Sequence, residues 1–342
     1  MTERLEDIAQ AMVARGKGIL AADESSGTIK KRFDTIKADS TATSRRDYRQ
    51  MLFTARDGMK KHISGVILFD ETIRQEAFDG RPLVDIIKAT GAVPGIKVDT
   101  GAKALPFHPG EKITEGLDGL RERLIEYRNL GARFAKWRAV IDIADGIPTW
   151  GCVKANAHAL ARYAALCQEQ MIVPIVEPEV PMDGPVAGHD INRCHEVTEW
   201  VLKTVFAELY EARINLEGMV LKPNMVIAGK NAAKQARPAE VAERTVTCLK
   251  ACVPAAVPGI AFLSGGQSDL QATEHLSLIN QMGPLPWKLT FSYGRALQAA
   301  ALKAWAGKAE NVAKAQAAFA HRARMNGLAT TGKWAKALEN AA

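Results

Sequence analysis

The segment Leu216-Glu217-Gly218-Met219-Val220-Leu221-Lys222-Pro223-Asn224-Met225-Val226 reads as a buried strand with a lysine in its middle. It is short and apolar, opened by Gly218 and followed by a loop at Gly229. Burial disfavours a charged amine, so Lys222 in such a strand either finds a partner or gives up its proton. A neutral lysine amine is a nucleophile that condenses with a carbonyl to form a Schiff base. Lysine is also mostly an exposed residue, so a strand end pointing to solvent is the plain alternative. What the other strands deliver beside Lys222 decides between the two.

Strand-like segments alternate with helical ones along nearly the whole chain. Strands are expected at 18–23, 65–70, 93–99, 133–142, 171–180, 217–226, 260–265 and 287–293. Helices are expected at 44–62, 115–130, 156–170, 190–213, 238–252, 268–282 and 294–306, with two more at 310–325 and 331–340. Strict βα alternation points to a parallel sheet covered by helices. Eight strands predict an α/β fold of the closed (β/α)8 TIM-barrel type with extra N- and C-terminal helices. The open doubly wound sheet is disfavoured, because no GxGxxG follows the first strand. With no internal repeat and no Pro/Ser-rich linker, one domain over residues 1–342 is expected.

Side chains alternate across a strand, so residues two apart share a face. Ile19, Ala21 and Asp23 share one face; Phe134, Lys136, Arg138 and Val140 another. Val173, Ile175, Glu177 and Glu179 form a third, and Val220, Lys222 and Asn224 a fourth. In each, charge sits late in an apolar strand, and the C-terminal strand ends of this barrel carry its active sites. Packing alone is a poor account of so many charged groups from four strands, since unpaired burial costs several kcal/mol each, to order of magnitude. Lys136 beside Lys222 is expected to depress the amine pKa by like-charge repulsion. Glu177 is expected to carry protons for carbinolamine formation and dehydration, and Asp23 to take a proton from a substrate hydroxyl. The set equips the chain for imine chemistry on a ketose.

Phosphate sites are expected on neighbouring loops. Leu263-Ser264-Gly265-Gly266-Gln267 ends the seventh strand, and Ser292-Tyr293-Gly294-Arg295 ends the eighth and opens a helix. Glycines let backbone N–H groups approach an anion, a helix N-terminus adds its dipole, and Arg295 supplies a charged contact. A lone Ser-Gly-Gly is otherwise an ordinary turn. Lys97, Arg138 and Arg32 form a second basic cluster. Two anion sites flanking a Schiff-base lysine imply a substrate phosphorylated at both ends.

The bulk numbers remove other classes. The chain is 47% hydrophobic and 24% charged, as in a soluble globular protein. It has no apolar run of about 18 residues. The segment Met1-Thr2-Glu3-Arg4-Leu5-Glu6-Asp7-Ile8 starts an acidic amphipathic helix, neither signal nor transit peptide. The net charge of +7 is dispersed, with no basic tail or aromatic-basic motif for nucleic acid, and suits an anionic small molecule. Cys152, Cys167, Cys194, Cys248 and Cys252 form no CxxC pair, which points to core residues in a reducing cytoplasm. His62, His108, His158, His189, His195, His275 and His321 are scattered without ligand spacing, so no metal site is expected.

At these residues the sequence resembles the class I, Schiff-base-forming, metal-independent fructose-1,6-bisphosphate aldolases. The matching stretches begin at Gly16-Lys17-Gly18-Ile19-Leu20-Ala21-Ala22-Asp23-Glu24-Ser25 and Gly95-Ile96-Lys97-Val98-Asp99. They continue with Ala135-Lys136-Trp137-Arg138, Ile172-Val173-Pro174-Ile175-Val176-Glu177-Pro178-Glu179 and the Lys222 segment, and end with the two phosphate loops. The resemblance implies that Lys222 forms the Schiff base, with Asp23 and Lys136 acting in ring opening, imine formation and carbon–carbon cleavage. It implies Glu177 as the main proton carrier and Glu179 as the holder of the lysine network. Ser264, Gly265, Gly266, Ser292, Gly294 and Arg295 would hold the C1 phosphate, and Ser25, Thr28, Arg32, Lys97 and Arg138 would surround the other. It further implies a homotetramer, no cofactor and a phosphorylated sugar as substrate.

Two departures stand out. Thr28 occupies a position where many members have Ser, and keeps the hydroxyl. The last residues, Glu339-Asn340-Ala341-Ala342, carry no counterpart of the C-terminal tyrosine that assists enamine protonation in animal members. Proton exchange at the dihydroxyacetone-phosphate carbon is therefore expected to rely on a carboxylate or water. Solvent hydrogen exchange at that carbon far faster than cleavage would overturn this expectation. Other chemistries remain at this point: a metal-dependent aldolase, a transaldolase, or a non-catalytic relative kept as a scaffold. Transaldolase donors carry one phosphate, which the second basic cluster argues against.

Overall fold

The computed structural model describes residues 3–184 and 187–340. Eight parallel strands close into a barrel: β1 (Gly18–Ala22), β2 (Ile63–Leu68), β3 (Val93–Lys97), β6 (Phe134–Val140), β7 (Val173–Glu179), β8 (Val220–Leu221), β9 (Gly259–Phe262) and β10 (Lys288–Tyr293). The order around the barrel is β1-β10-β9-β8-β7-β6-β3-β2. Every predicted barrel strand is present. Two further strands, β4 (Gly101–Ala104) and β5 (Lys112–Glu115), pair antiparallel as a hairpin that the sequence reading missed. Their short, charge-bearing segments lack the apolar run that marks a barrel strand. The expected helix 115–130 consequently starts later, at Leu120–Asn129, after a left-handed Gly119.

The expected period of two holds inside the barrel. Ile19, Ala21, Phe134, Val173, Ile175 and Val220 belong to one buried cluster with Ile67 and Ala261. The N-terminal helix Leu5–Met12 joins the same cluster through Leu5, Ile8, Ala9 and Met12, and so plugs the barrel floor. A second, larger cluster lies between the strands and the surrounding helices.

Strand ends and helix starts are set locally. β8 is much shorter than the predicted 217–226, because a 3-10 turn, Leu216–Gly218, precedes it and Pro223 has no N–H for the ladder. Single bonds continue the strand direction past its end: Lys222 N–H donates to Val176 at 2.8 Å, and the Pro223 carbonyl accepts from Leu263 at 3.1 Å. The expected helix 44–62 divides into Ala42–Phe53 and Arg56–His62. At the break the Thr54 hydroxyl bonds back to the Gln50 carbonyl at 2.7 Å. Side-chain caps from Ser25, Thr149, Asp190 and Ser268 open four helices, and Pro238 occupies the first turn of another. The expected helix 331–340 is only a 3-10 turn, Lys336–Asn340.

Among the described residues no helix is long and apolar enough to cross a membrane. All five cysteines are free thiols.

Close packing inside the barrel gives one test. A Cβ on Gly95 would lie 2.3 Å from the Phe134 ring. Gly95→Ala is expected to cost about 1–3 kcal/mol of stability. Adding Phe134→Leu in the same chain should recover part of it, read from urea midpoints. An unaffected midpoint for Gly95→Ala would refute this packing.

Candidate active site

The barrel mouth opens on a cavity of about 410 Å³ at the C-terminal strand ends. Asp23, Lys136 and Lys222 line it, and the buried Glu177 lies against both lysines. Asp23 follows the last residue of β1, Lys136 sits within β6, Glu177 within β7, and Lys222 directly follows β8. Lys136 Nζ is 2.8 Å from Asp23 Oδ2 and 3.3 Å from Glu177 Oε2; Lys222 Nζ is 3.1 Å from Glu177 Oε1. The Glu177 Oε2 contact is an ion contact rather than an aligned hydrogen bond. Lys222 is 4% exposed, which removes the alternative of a strand end in solvent.

Electrostatics set the charge states of Lys136, Asp23 and Glu177. Burial pushes the Lys136 amine down, but Asp23 and then Glu177 more than offset it and hold it above its ordinary value. Lys136 is therefore a fixed cation, and Glu177 contacts both lysines. Burial raises Asp23, yet Lys136 and Lys222 bring its carboxyl well below the usual range. Glu177 follows the same pattern: burial raises it, and Lys136, Lys222 and Arg138 lower it on balance. Both carboxyls are ionised at neutral pH, so Glu177 can give a proton only after first receiving one.

Glu179 departs from its expected place. Its carboxylate pairs with Arg138 rather than with the lysines. The register explains this, since β6 and β7 set Arg138 beside Glu177 and Val140 beside Glu179, and the long guanidinium reaches one step along.

Both expected phosphate sites face the cavity. Ser264, Gly265, Ser292, Gly294 and Arg295 of the first expected cluster line it, and so do Ser25, Thr28, Lys97 and Arg138 of the second. Gly265 is left-handed, with φ at 52°. Gly266 is not part of the lining, and a Cβ there would meet Asp183 at 2.6 Å. Arg32 also lines the cavity, but its NH2 lies 3.4 Å from where a Cβ on Gly294 would sit, so it neighbours the first cluster. Ser25 caps the helix Ser26–Asp34, its oxygen accepting from the Thr28 N–H at 3.4 Å.

Sequence reasoning missed the carboxylates that hold these cations. Arg32 pairs with Glu24, Lys97 with Asp99 at 3.0 Å, and Arg295 with Asp183 at 2.8 Å. The Lys97–Asp99 pair was legible in the two-residue spacing. The contribution of Gly101 and Ala102 from the hairpin was not. The expectation about Ala341 and Ala342 falls outside the described residues.

Comparison with known proteins gives the family. A family model described as fructose-bisphosphate aldolase class-I matches residues 4–342. The chain belongs to that family. A probable class 1 fructose-bisphosphate aldolase of Xanthomonas axonopodis pv. citri is 58% identical over 97% of this chain and 98% of its own length. Fructose-bisphosphate aldolase 1 of Toxoplasma gondii is 53% identical over 98% of this chain and 92% of its own. The aldolase of Plasmodium falciparum, solved with TRAP and a small-molecule inhibitor, superposes with a TM-score of 0.94. It is 51% identical and covers 97% of this chain and 95% of its own. The resemblance first carried by separate motifs thus extends over nearly the whole aldolase sequence, and the chain is a carbon–carbon lyase of this family.

The Asp23–Lys136 pair predicts a pH signature. A carboxyl held low in the folded state adds stability that is fully present above its unfolded value, near about 4. That stability is lost as pH falls through the lower folded value. Asp23→Asn should therefore be less stable than the parent near about pH 7, with the difference shrinking toward about pH 3. A difference in urea midpoint that is constant with pH would contradict the pairing.

Proposed function

We propose that fructose 1,6-bisphosphate is cleaved here through a Schiff base on Lys222. The supporting observation is a buried lysine sharing Glu177 with Lys136, between two loops suited to phosphate. The open-chain ketose binds with its C1 phosphate on Ser264, Gly265, Ser292, Gly294 and Arg295. The other phosphate lies toward Ser25, Thr28, Lys97 and Arg138, and Arg32 stands beside Gly294 of the first group. Glu177 takes a proton from the Lys222 ammonium, freeing the amine to attack the C2 carbonyl. It returns that proton to the departing hydroxyl, and water leaves as the protonated imine forms. Asp23, on the cavity wall, takes the C4 hydroxyl proton while the C3–C4 electron pair flows into the imine. Glyceraldehyde 3-phosphate departs, the enamine carbon is protonated, and hydrolysis frees dihydroxyacetone phosphate. Lys136 keeps both carboxylates charged and placed. No step calls for a metal.

One catalytic domain spanning residues 1–342 is part of this proposal, supported by the family match over residues 4–342. Five free thiols support a reducing cytoplasmic location. A homotetramer is proposed on family likeness, and light scattering giving a monomer or dimer mass would overturn it. Borohydride with dihydroxyacetone phosphate in EDTA should leave a reduced adduct on Lys222, found by peptide mapping. Lys222→Ala should lose both adduct and turnover, by at least about a thousandfold. An adduct on another lysine, or substantial turnover by the variant, would overturn the site assignment.

A further inference from the structure

A buried polar cluster that the reaction scheme does not use lies beside the phosphate loops. Glu24 follows Asp23, and its side chain is almost fully enclosed. Its Oε1 accepts from Arg32 NH1 and, at 3.0 Å, from Gln298 Nε2. Its Oε2 has no hydrogen-bond partner and lies 3.9 Å from the buried Arg49. Gln298 is itself fixed twice more: Nε2 donates to the Ala21 carbonyl at 2.7 Å, and Oε1 accepts from the Tyr48 hydroxyl at 3.0 Å. It hangs from the helix Arg295–Trp305, whose N-cap is Gly294.

A carboxylate removed from water is held in place by the donors that reach it. Here the Oε1 donors fix its orientation, and one of them is the arginine beside Gly294. A guanidinium with NH1 committed to a carboxylate still has its other edge to offer an anion. We infer that Gln298 is a positioning residue for the substrate phosphate. It clamps Glu24 so that Arg32 keeps NH2 against Gly294, where a phosphate on the adjoining loop comes within reach. Gln298 does not line the cavity, so its effect passes through Glu24 and Arg32. The inference rests on the phosphate assignment above and adds a residue to it.

The test compares the parent with Gln298→Met, which keeps length and removes both polar atoms, and with Tyr48→Phe, which removes only the bond onto Gln298. Thermal unfolding identifies any variant that fails to fold, and Tyr48→Phe carries the test if Gln298→Met does so. For Gln298→Met, KM for fructose 1,6-bisphosphate and the inhibition constant of inorganic phosphate should rise about tenfold, with kcat changed less than about threefold. Tyr48→Phe should shift both constants the same way, by about threefold. Adding Gln298→Met to Arg32→Met should give no further rise. Borohydride trapping with unphosphorylated dihydroxyacetone should remain equal in parent and variants. Unchanged phosphate inhibition, a fall in kcat at constant KM, or additive effects in the double variant would each overturn the inference while leaving the Schiff base standing. Absence of a Lys222 adduct in the parent would instead remove the underlying assignment and the inference with it.

Discussion

The site depends on one cation shared between two carboxylates. Lys136 stands 2.8 Å from Asp23 and 3.3 Å from Glu177, all nearly out of water. Removing any one would leave an uncompensated buried charge, which proteins tolerate poorly. The barrel supplies the arrangement cheaply in chain terms, because β6 and β7 are hydrogen-bonded neighbours and β8 is next. Strand order therefore places Lys136, Glu177 and Lys222 side by side, and barrel closure through β10 brings β1 and Asp23 across to them.

The same rule of pairing governs the rim. Arg32, Lys97, Arg138 and Arg295 each rest on a carboxylate: Glu24, Asp99, Glu179 and Asp183. Held this way, several cations face one cavity without driving each other apart. In the proposed reaction, an incoming phosphate would share or exchange those partners rather than meet bare charge, so its binding would be a competition between anions as well as an attraction.

Most of the barrel was legible because its strands are apolar, short and separated by helical patterns of ordinary length. The inward faces of β1, β6 and β7 followed directly from alternation, and so did the gathering of Asp23, Lys136, Glu177 and Lys222 at one end. Three things were not legible. The hairpin of β4 and β5 is too polar and brief to signal itself, although Gly101 and Ala102 reach the cavity. The partner of Glu179 depends on how far the Arg138 side chain reaches, which residue spacing does not encode. That one carboxylate, Glu177, touches both lysines was not legible either, because spacing gathers the residues at one end without setting their contacts.

The helix Leu5–Met12 makes the barrel a dead end. Leu5, Ile8, Ala9 and Met12 fill its floor with hydrocarbon, continuous with Ile19, Ile67 and Val173. Among the described residues this hydrocarbon backs the barrel interior, and Lys222 faces the cavity at the opposite, C-terminal end. In the proposed reaction, the water that hydrolyses the imine would come through the same mouth by which the first three-carbon fragment departs.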